Sequence, residues 1–308
     1  MRGRLWLIDA PVLLVAVVWG SSYLAAKSIA TQQTVVAMLV LRFGLTLPVL
    51  LVVVRRRLGA LSRPEVGGGV LLGLVLSMIF LLETYGVVHT SATNAGLIIS
   101  LTMVFTPLAE SALSRRAPSR AFLGAAALSV VGVGLLTQGA GFTAPSQGDL
   151  LMLGAALVRA ANLLVMHRLR AVRDTDSASL TFVQLTSAVA VFLLVVPFAG
   201  TSPLALARSF GTAQWADLVY LSLMCTLFAF FVQMWAVRRT SPSRVSLLLG
   251  TEPLWAAVIG VAIGGERLGA LGLLGAVLVL GGTAWGRSHR PPRAPDPAPR
   301  DLQPALTP

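Results

Sequence analysis

The 308-residue chain is 56% hydrophobic and 12% charged, with a mean hydropathy of +0.81, and so apolar a composition excludes an ordinary soluble domain. The formal net charge of +12 does not indicate a nucleic-acid partner, because the basic residues fall in short clusters between apolar runs. The single cysteine, Cys225, excludes an intrachain disulfide and a cysteine-rich metal site.

Transmembrane helices are predicted by dividing the chain at its charge clusters and turn residues. A hydrocarbon core of about 30 Å needs about 20 mostly apolar residues per helix. Ten such helices are predicted, at residues 10–29, 35–54, 66–87, 94–113, 120–138, 149–167, 179–198, 216–237, 245–263 and 269–286. The first carries Trp19 and Lys27 and leads into further spans, so it is interpreted as an uncleaved helix and not as a signal peptide. The predicted fold class is all-α integral membrane.

The Lys and Arg residues are distributed unequally between the two sides of such a membrane protein. Nineteen of the 24 lie at the N-terminus, in alternate loops and in the tail, whereas Lys27, Arg208 and Arg267 lie in the opposite loops. The positive-inside rule therefore predicts a multi-pass protein of a bacterial-type inner (plasma) membrane with both termini cytoplasmic. Residues 288–308 are rich in proline and are predicted to form a disordered cytoplasmic tail.

The chain resembles itself weakly at a fixed offset. An offset of 150 carries Glu83 onto Gln233 and Thr102 onto Glu252, and an offset of 140 carries Trp19 onto Arg159. Each unit holds five predicted helices, an odd number, so two units in one chain cross the membrane in opposite senses. We therefore predict two inverted five-helix repeats, residues 1–140 and 141–287, with a substrate site near the midplane where they meet.

Short segments in both halves carry a resemblance to a known family. They are Trp19-Gly20-Ser21-Ser22 with Lys27, Leu41-Arg42-Phe43, Gly148-Asp149-Leu150-Leu151, Thr251-Glu252-Pro253-Leu254 and Gly264-Gly265-Glu266-Arg267-Leu268. In order and spacing they resemble the EamA-type transporters of the drug/metabolite transporter superfamily, which have two five-helix repeats. The resemblance implies alternating access with export or uptake of amino acids or related metabolites, and we expect efflux.

The sequence departs from the family pattern at a few positions. Met103 stands where a proline is common, Arg115-Arg116 where Gly-Glu is common, and Arg159 where a tryptophan is common. An arginine in place of a tryptophan could change the class of substrate.

Ionisable residues within spans are the first candidates for a transport site. Each costs about 2.5–3.5 kcal/mol or more to insert, and therefore needs a partner or a water-filled cavity. The candidates are Arg42, Glu83, Glu110, Arg159 and Glu252. Their depths and the repeat predict that Trp19, Thr102, Arg159 and Glu252 form one layer near the midplane.

Arg159 is the residue predicted to bind an anionic group of the substrate, such as a carboxylate. Asn162 lies on the same helix face and is expected to assist. Glu252 is expected to pair with Arg159 or with a substrate ammonium. The alternative is a structural ion pair that only neutralises two buried charges.

Glu83 and Glu252 are the candidates for proton coupling, because a desolvated carboxylate in a span can carry a proton. For Glu83, hydrogen bonding to a neighbouring helix is the alternative. Phe230 in the eighth span is expected to line the substrate cavity. Glu110 is expected to snorkel to the cytoplasmic headgroups or to pair with Arg115 or Arg116, and Arg42 is expected to be structural, with its long side chain reaching toward the extracellular interface.

Other functions remain open. An enzyme is not expected, since His89, His167 and His289 lie in loops, at span ends or in the tail, and no HExxH, GxSxG or phosphate-binding loop occurs. The alternatives are a multidrug-type proton antiporter and a non-transporting protein such as a lipid scramblase or assembly factor. We expect no metal and no cofactor, a small-molecule substrate, contacts with membrane lipids, and a monomer or homodimer.

Overall fold

The structure is a computed structural model that describes residues 2–90, 92–115, 118–137, 146–169, 175–263 and 269–288. All regular secondary structure within these residues is helical. The α-helices are α1 (Arg2–Ile29), α2 (Val35–Gly44), α3 (Thr46–Leu58), α4 (Arg63–His89), α5 (Ala92–Ser100), α6 (Thr102–Ser114), α7 (Arg120–Thr137), α8 (Gln147–Arg168), α9 (Ser177–Val195), α10 (Pro203–Ser209), α11 (Thr212–Ser222), α12 (Ala229–Arg239), α13 (Pro242–Leu249), α14 (Glu252–Ala262) and α15 (Ala270–Ser288). The predicted tail lies outside the described residues except for Ser288.

Six helical segments are long and apolar enough to cross a membrane. They are Trp6–Ala26, Val35–Leu58, Arg63–His89, Gln147–Arg168, Ser177–Phe198 and Thr212–Arg239, and shorter apolar helices occupy Ile98–Ser114, Arg120–Gly132 and Ala270–Gly282. These segments fall on predicted spans, so the chain has the character of a multi-pass membrane protein. The count of ten crossings and the inverted repeat stay predictions.

Two predicted spans divide into two helices each because of a proline. Pro48 lies four residues after Gly44, the last residue of α2, and Pro253 lies four residues after Leu249, the last residue of α13. A proline ring clashes with the carbonyl four residues earlier and offers it no N–H. The regular hydrogen-bond pattern is therefore interrupted between α2 and α3 and between α13 and α14, although the linking residues keep helical backbone angles.

A third predicted span is interrupted at Leu101, between α5 and α6. No proline stands four residues after the end of α5, and the Thr102 hydroxyl donates to the Ile99 carbonyl at 2.7 Å. The sequence offset of 150 relates Leu101 to Thr251, which lies in the break between α13 and α14. The two breaks place Thr102 and Glu252 at the first position of a new helix.

The eighth predicted span contains a π-helical segment, Leu223–Phe228, between α11 and α12. The Thr226 hydroxyl donates to the carbonyl of Leu221, five residues earlier, at 2.8 Å. This irregular backbone leaves the Cys225 carbonyl to accept a hydrogen bond from Nε1 of Trp19 at 2.8 Å. The π segment therefore ties α1 to the centre of this span.

Helices α7 and α15 pack against each other along their length. A Cβ atom on Gly282 would lie against the Ser129 hydroxyl and 2.8 Å from the Ala125 carbonyl oxygen, whereas one on Gly281 would meet only Leu128, at 4.0 Å. The close approach of the two helices therefore requires glycine at Gly282.

Replacing Gly282 with alanine is expected to lower the free energy of unfolding by about 1–3 kcal/mol, because the added methyl group forces α7 and α15 apart. Gly281→Ala is the matched control, since it makes the same change of helix propensity on the same helix without a clash. Unfolding of the two variants in detergent checks this. Equal stabilities of the two variants would show that the packing of α7 against α15 does not require a glycine at position 282.

The end of the molecule at which α1 begins is called the inner face, and the end at which α1 and α4 finish is called the outer face. At the inner face Arg244 of α13 forms an ion pair with Asp9 of α1, including an Nε to Oδ1 hydrogen bond of 2.7 Å. Glu110 of α6 accepts hydrogen bonds from the backbone and hydroxyl of Ser243. These contacts hold α1, α6 and α13 together. Of the two partners expected for Glu110, Arg115 forms no ion pair with it among the described residues, and Arg116 lies outside them.

Asp176 lies just before α9, and its carboxylate caps that helix by accepting from the Ser179 N–H at 3.1 Å. Partial burial raises the pKa of Asp176, but the hydrogen bonds from Ser179 and the Arg57 cation, 2.9 Å away, outweigh it and hold the pKa below the usual value. The stabilisation is therefore complete above the pKa of an unfolded aspartate and is lost as the pH falls through the lower folded value.

Asp176→Ala is expected to destabilise the protein by about 1 kcal/mol at neutral pH, because it removes the helix cap. The difference from wild type should shrink as the pH is lowered through the folded pKa. Thermal unfolding in detergent over a pH series measures it. Asp176→Asn keeps a capping oxygen without the charge and should be stable with little pH response; a constant difference between Asp176→Ala and wild type would contradict the assignment.

Candidate functional site

The centre of the candidate site is an ion pair between α8 and α14. Nη1 of Arg159 lies 3.6 Å from Oε2 of Glu252, and the two side chains are 11% and 6% exposed. This distance is longer than a charge-assisted hydrogen bond, so the attraction is mainly Coulombic. The Arg159 guanidinium also lies over the Trp19 ring, with Cζ 4.3 Å from the ring centroid. A buried cation is thus held between a carboxylate and an aromatic face.

Three of the four residues predicted as a midplane layer are therefore in direct contact, and the fourth lies beside them. Thr102 donates to the Ala156 carbonyl of α8 at 3.3 Å, which joins α6 to α8. It lines the same small crevice as Arg159 and Glu252. The helix breaks before Thr102 and Glu252 bring both helix starts to this level.

Tyr23 is a site residue that the sequence analysis missed. Its hydroxyl donates to Oε1 of Glu252 at 2.7 Å, and its side chain is 5% exposed. The signal was present, because Tyr23 lies four residues after Trp19 on α1 and such residues share a helix face. A tyrosine in an apolar run nevertheless looks like ordinary core.

The crevice around this ion pair has almost no free space. Its volume is about 10 Å³, and its polar lining includes Ser246 and Gln233. One water molecule is the most that such a space holds. A molecule larger than water would therefore reach Arg159 only if neighbouring helices moved apart.

Asn162 and Phe230 lie in other surroundings than the ion pair. The Asn162 amide faces Met166 one turn along α8, with 4.0 Å between Nδ2 and the sulfur, and its Oδ1 has no hydrogen-bond partner among the described residues. Phe230 packs in an aromatic cluster, with its ring centroid 5.6 Å from those of both Trp19 and Phe80. Phe230 therefore supports the site through Trp19 instead of lining the crevice.

A larger cavity of about 210 Å³ lies between α1, α2 and α4. It runs from Tyr23 and Arg42 out to Ala30 and Thr90 at the helix ends, and so reaches the outer face. We call it the outer cavity. Tyr23 lines it while donating to Glu252, so this side chain separates the outer cavity from the crevice.

The sequence analysis predicted that Arg42 extends toward the extracellular interface, but its side chain lies elsewhere. Its Nε donates to the Thr226 hydroxyl at 2.8 Å, and its Cζ lies 5.1 Å from the centroid of Phe80. The residue is 5% exposed and lines the outer cavity. Its short-range partners are thus a hydroxyl of the π segment and an aromatic ring.

Glu83 lines the outer cavity from α4. Its Oε2 atom is buried and has no hydrogen-bond partner among the described residues. Oε2 therefore does not form the hydrogen bond to a neighbouring helix that was the alternative role for Glu83, among the residues that the structure describes. The residues that the structure describes also contain no cluster of three or more His, Cys, Asp or Glu side chains suited to a metal ion.

Comparisons with known proteins give the same family twice along the chain. The profile of a family described as the EamA-like transporter family matches residues 6–138 and 146–285. Two proteins of Archaeoglobus fulgidus, each named only as an uncharacterized transporter, are 26% identical over 272 residues and 22% identical over 277 residues. These alignments cover 88% and 87% of this chain, and 83% and 93% of the relatives.

A solved structure titled only as the crystal structure of a protein has a similar fold. It superposes with a TM-score of 0.71 at 18% sequence identity, over 92% of this chain and 96% of that one. At this identity the likeness concerns the fold alone.

Proposed function

Because this chain belongs to the EamA-like transporter family of the drug/metabolite transporter superfamily, we propose that it moves a small metabolite across the inner membrane by alternating access. The proposed cargo is an amino acid or a related compound, and the proposed direction is efflux. The observation that carries the proposal is the buried Arg159–Glu252 pair beneath a cavity that reaches the outer face. Charged groups at such depth are retained in membranes chiefly along substrate and ion pathways.

The proposed architecture is ten transmembrane helices in two inverted halves, residues 1–140 and 141–287. Two findings support it. The family profile matches once in each half, and the helix breaks at Leu101 and Thr251 correspond under the offset of 150. Broken helices near the midplane supply the binding sites of inverted-repeat transporters. One chain holds both halves, so a monomer suffices, with both termini in the cytoplasm.

In the proposed mechanism the inner face is closed and the outer cavity is open. The Asp9–Arg244 pair and the Glu110–Ser243 contacts hold the inner face together. Inward opening separates these contacts and widens the crevice. The substrate anion then competes with Glu252 for Arg159, with Asn162 one turn along α8 beside it.

Flux into and out of proteoliposomes tests the function. Labelled amino acids and small organic acids are loaded as a panel, and wild type is compared with Arg159→Gln and Arg159→Lys. We expect substrate-specific flux that falls at least tenfold in Arg159→Gln and partly recovers in Arg159→Lys. Arg56→Gln, at an exposed arginine of α3, is the control. Flux of no solute, with labelled lipid crossing the bilayer instead, would favour a scramblase.

Proton coupling through Glu83 or Glu252 is a separate part of the proposal, supported by the buried Oε2 of Glu83, which accepts no hydrogen bond from the residues that the structure describes. An imposed pH gradient is expected to drive flux in wild type. At substrate concentrations raised to offset its weaker binding, Glu83→Gln should exchange substrate at equilibrium but no longer accumulate it against a gradient. If Glu83→Gln still follows the gradient, Glu83 is not the carrier.

A further inference from the structure

The outer cavity is lined by two ionisable side chains of opposite charge, the buried Arg42 and the partly buried Glu83, which form no ion pair within 4 Å among the described residues. None of the three ion pairs among the described residues involves Arg42 or Glu83. The two side chains nevertheless line one cavity of about 210 Å³. We propose that this cavity is a second substrate subsite, which binds a zwitterionic amino acid with its carboxylate at Arg42 and its ammonium at Glu83.

The first step of the argument is the fixed position of Arg42. Thr226 holds its Nε, and the ring of Phe80 lies against its Cζ. A guanidinium has five N–H donors, and one hydrogen bond at Nε leaves the outer fork of donors to face the cavity. That fork matches the two oxygens of a carboxylate.

The second step is the charge of Glu83. Its Oε2 is buried without a hydrogen-bond partner among the described residues, which is costly for an ionised oxygen. A ligand ammonium would supply three donors and a compensating charge. A solute with only one charge would contact Arg42 or Glu83 and leave the other without an opposite charge in direct contact.

The third step is the remaining lining of the cavity. Met38, Phe80 and Val87 give it apolar walls, and Tyr23 closes it toward the crevice. An apolar side chain of a bound amino acid would lie against these walls. The cavity therefore favours an amino acid with an aliphatic or aromatic side chain over a charged one.

The subsite also gives the Tyr23–Glu252 hydrogen bond a role in transport. Tyr23 lines the outer cavity and donates to Glu252, which lies 3.6 Å from Arg159. A substrate moving between the subsite and Arg159 must displace Tyr23. The two binding positions are thus arranged in series along one path, and this subsite rests on the proposed transport function.

Binding to the purified protein in detergent tests the subsite independently of flux. The probes are leucine, 3-methylbutylamine, which lacks the carboxylate, and 4-methylpentanoate, which lacks the ammonium. Ligand-induced thermal stabilisation gives the affinities. We expect leucine to bind wild type at least tenfold more tightly than either analogue.

The variants should respond in a crossed pattern. Glu83→Gln is expected to bind leucine at least tenfold more weakly, with its affinity for 4-methylpentanoate unchanged. Arg42→Gln is likewise expected to bind leucine more weakly, with its affinity for 3-methylbutylamine unchanged. Arg56→Gln should match wild type. If Arg42→Gln does not fold, Arg42→Lys replaces it and should keep a reduced preference for leucine. A merely structural role would weaken all three ligands equally.

The outcomes separate this subsite from the proposed function. Flux with unchanged selectivity in both variants would overturn the subsite and leave the transporter standing. The crossed pattern without flux of any solute would leave the subsite and overturn the transport function. No preference of wild type for leucine over the analogues would overturn the subsite.

Discussion

Replacing Glu252 with leucine is expected to lower the free energy of unfolding by about 3–5 kcal/mol, because it leaves the Arg159 cation buried without a counter-ion. It also removes the acceptor of the Tyr23 hydroxyl, which lies 2.7 Å away. Few single changes in this protein should cost more. Equilibrium or thermal unfolding in detergent measures the loss.

The double variant Arg159→Met with Glu252→Leu is the informative companion. It removes both charges, so most of the lost stability should return. Transport should not return, since the proposed anion-binding group is absent. Recovery of both stability and flux would establish that the ion pair is only structural. A double variant as unstable as Glu252→Leu would show that packing around the two side chains, and not their charge, sets the stability.

Arg244→Gln is expected to make the inner face open more often. The Arg244 and Asp9 side chains are only 11% and 19% exposed, so solvent screens their attraction weakly. A cysteine placed at Ser246, which lines the crevice and is 2% exposed, reports opening through its rate of alkylation. In a Cys225→Ala background we expect the rate to rise about tenfold, equivalent to about 1.4 kcal/mol.

The control for this experiment is Arg239→Gln. Arg239 is an exposed arginine at the same face, whose guanidinium lies 5.2 Å from the ring centroid of Trp235 and not in an ion pair of the described residues. In Arg239→Gln the cysteine placed at Ser246 should be alkylated at the same rate as in the protein that keeps Arg239. Equal rates in Arg244→Gln and wild type would show that the pair with Asp9 does not hold the inner face closed.

Hydropathy predicted the long helices well, because the membrane imposes one length and one composition on every span. The predicted spans at 66–87 and 149–167 lie within α4 and α8, which differ from them by a few polar residues at the ends. The family resemblance is confirmed by the profile matches. Charge within spans also pointed to Arg159 and Glu252, and their depths in the predicted spans placed both in one layer, where the structure has them in contact.

The irregular features were beyond the reach of the sequence pattern. The π segment at Leu223–Phe228 depends on packing against α1, where Trp19 takes up the carbonyl of Cys225. The break at Leu101 has no proline to announce it. Arg42 was misread because its partners, Thr226 and Phe80, come from distant parts of the chain. Local sequence records none of these long-range contacts.

The π segment has a further consequence for the proposed architecture of two inverted halves. The π turn adds one residue and so rotates the rest of that span by about 100°. Its repeat counterpart, α4, is an uninterrupted α-helix over Arg63–His89. In the proposed alternating-access cycle the two halves could therefore not exchange shapes completely, and we expect the states open to opposite sides to differ in free energy. Without cargo, the protein would then favour one side of the membrane, and its transport cycle would run asymmetrically in time.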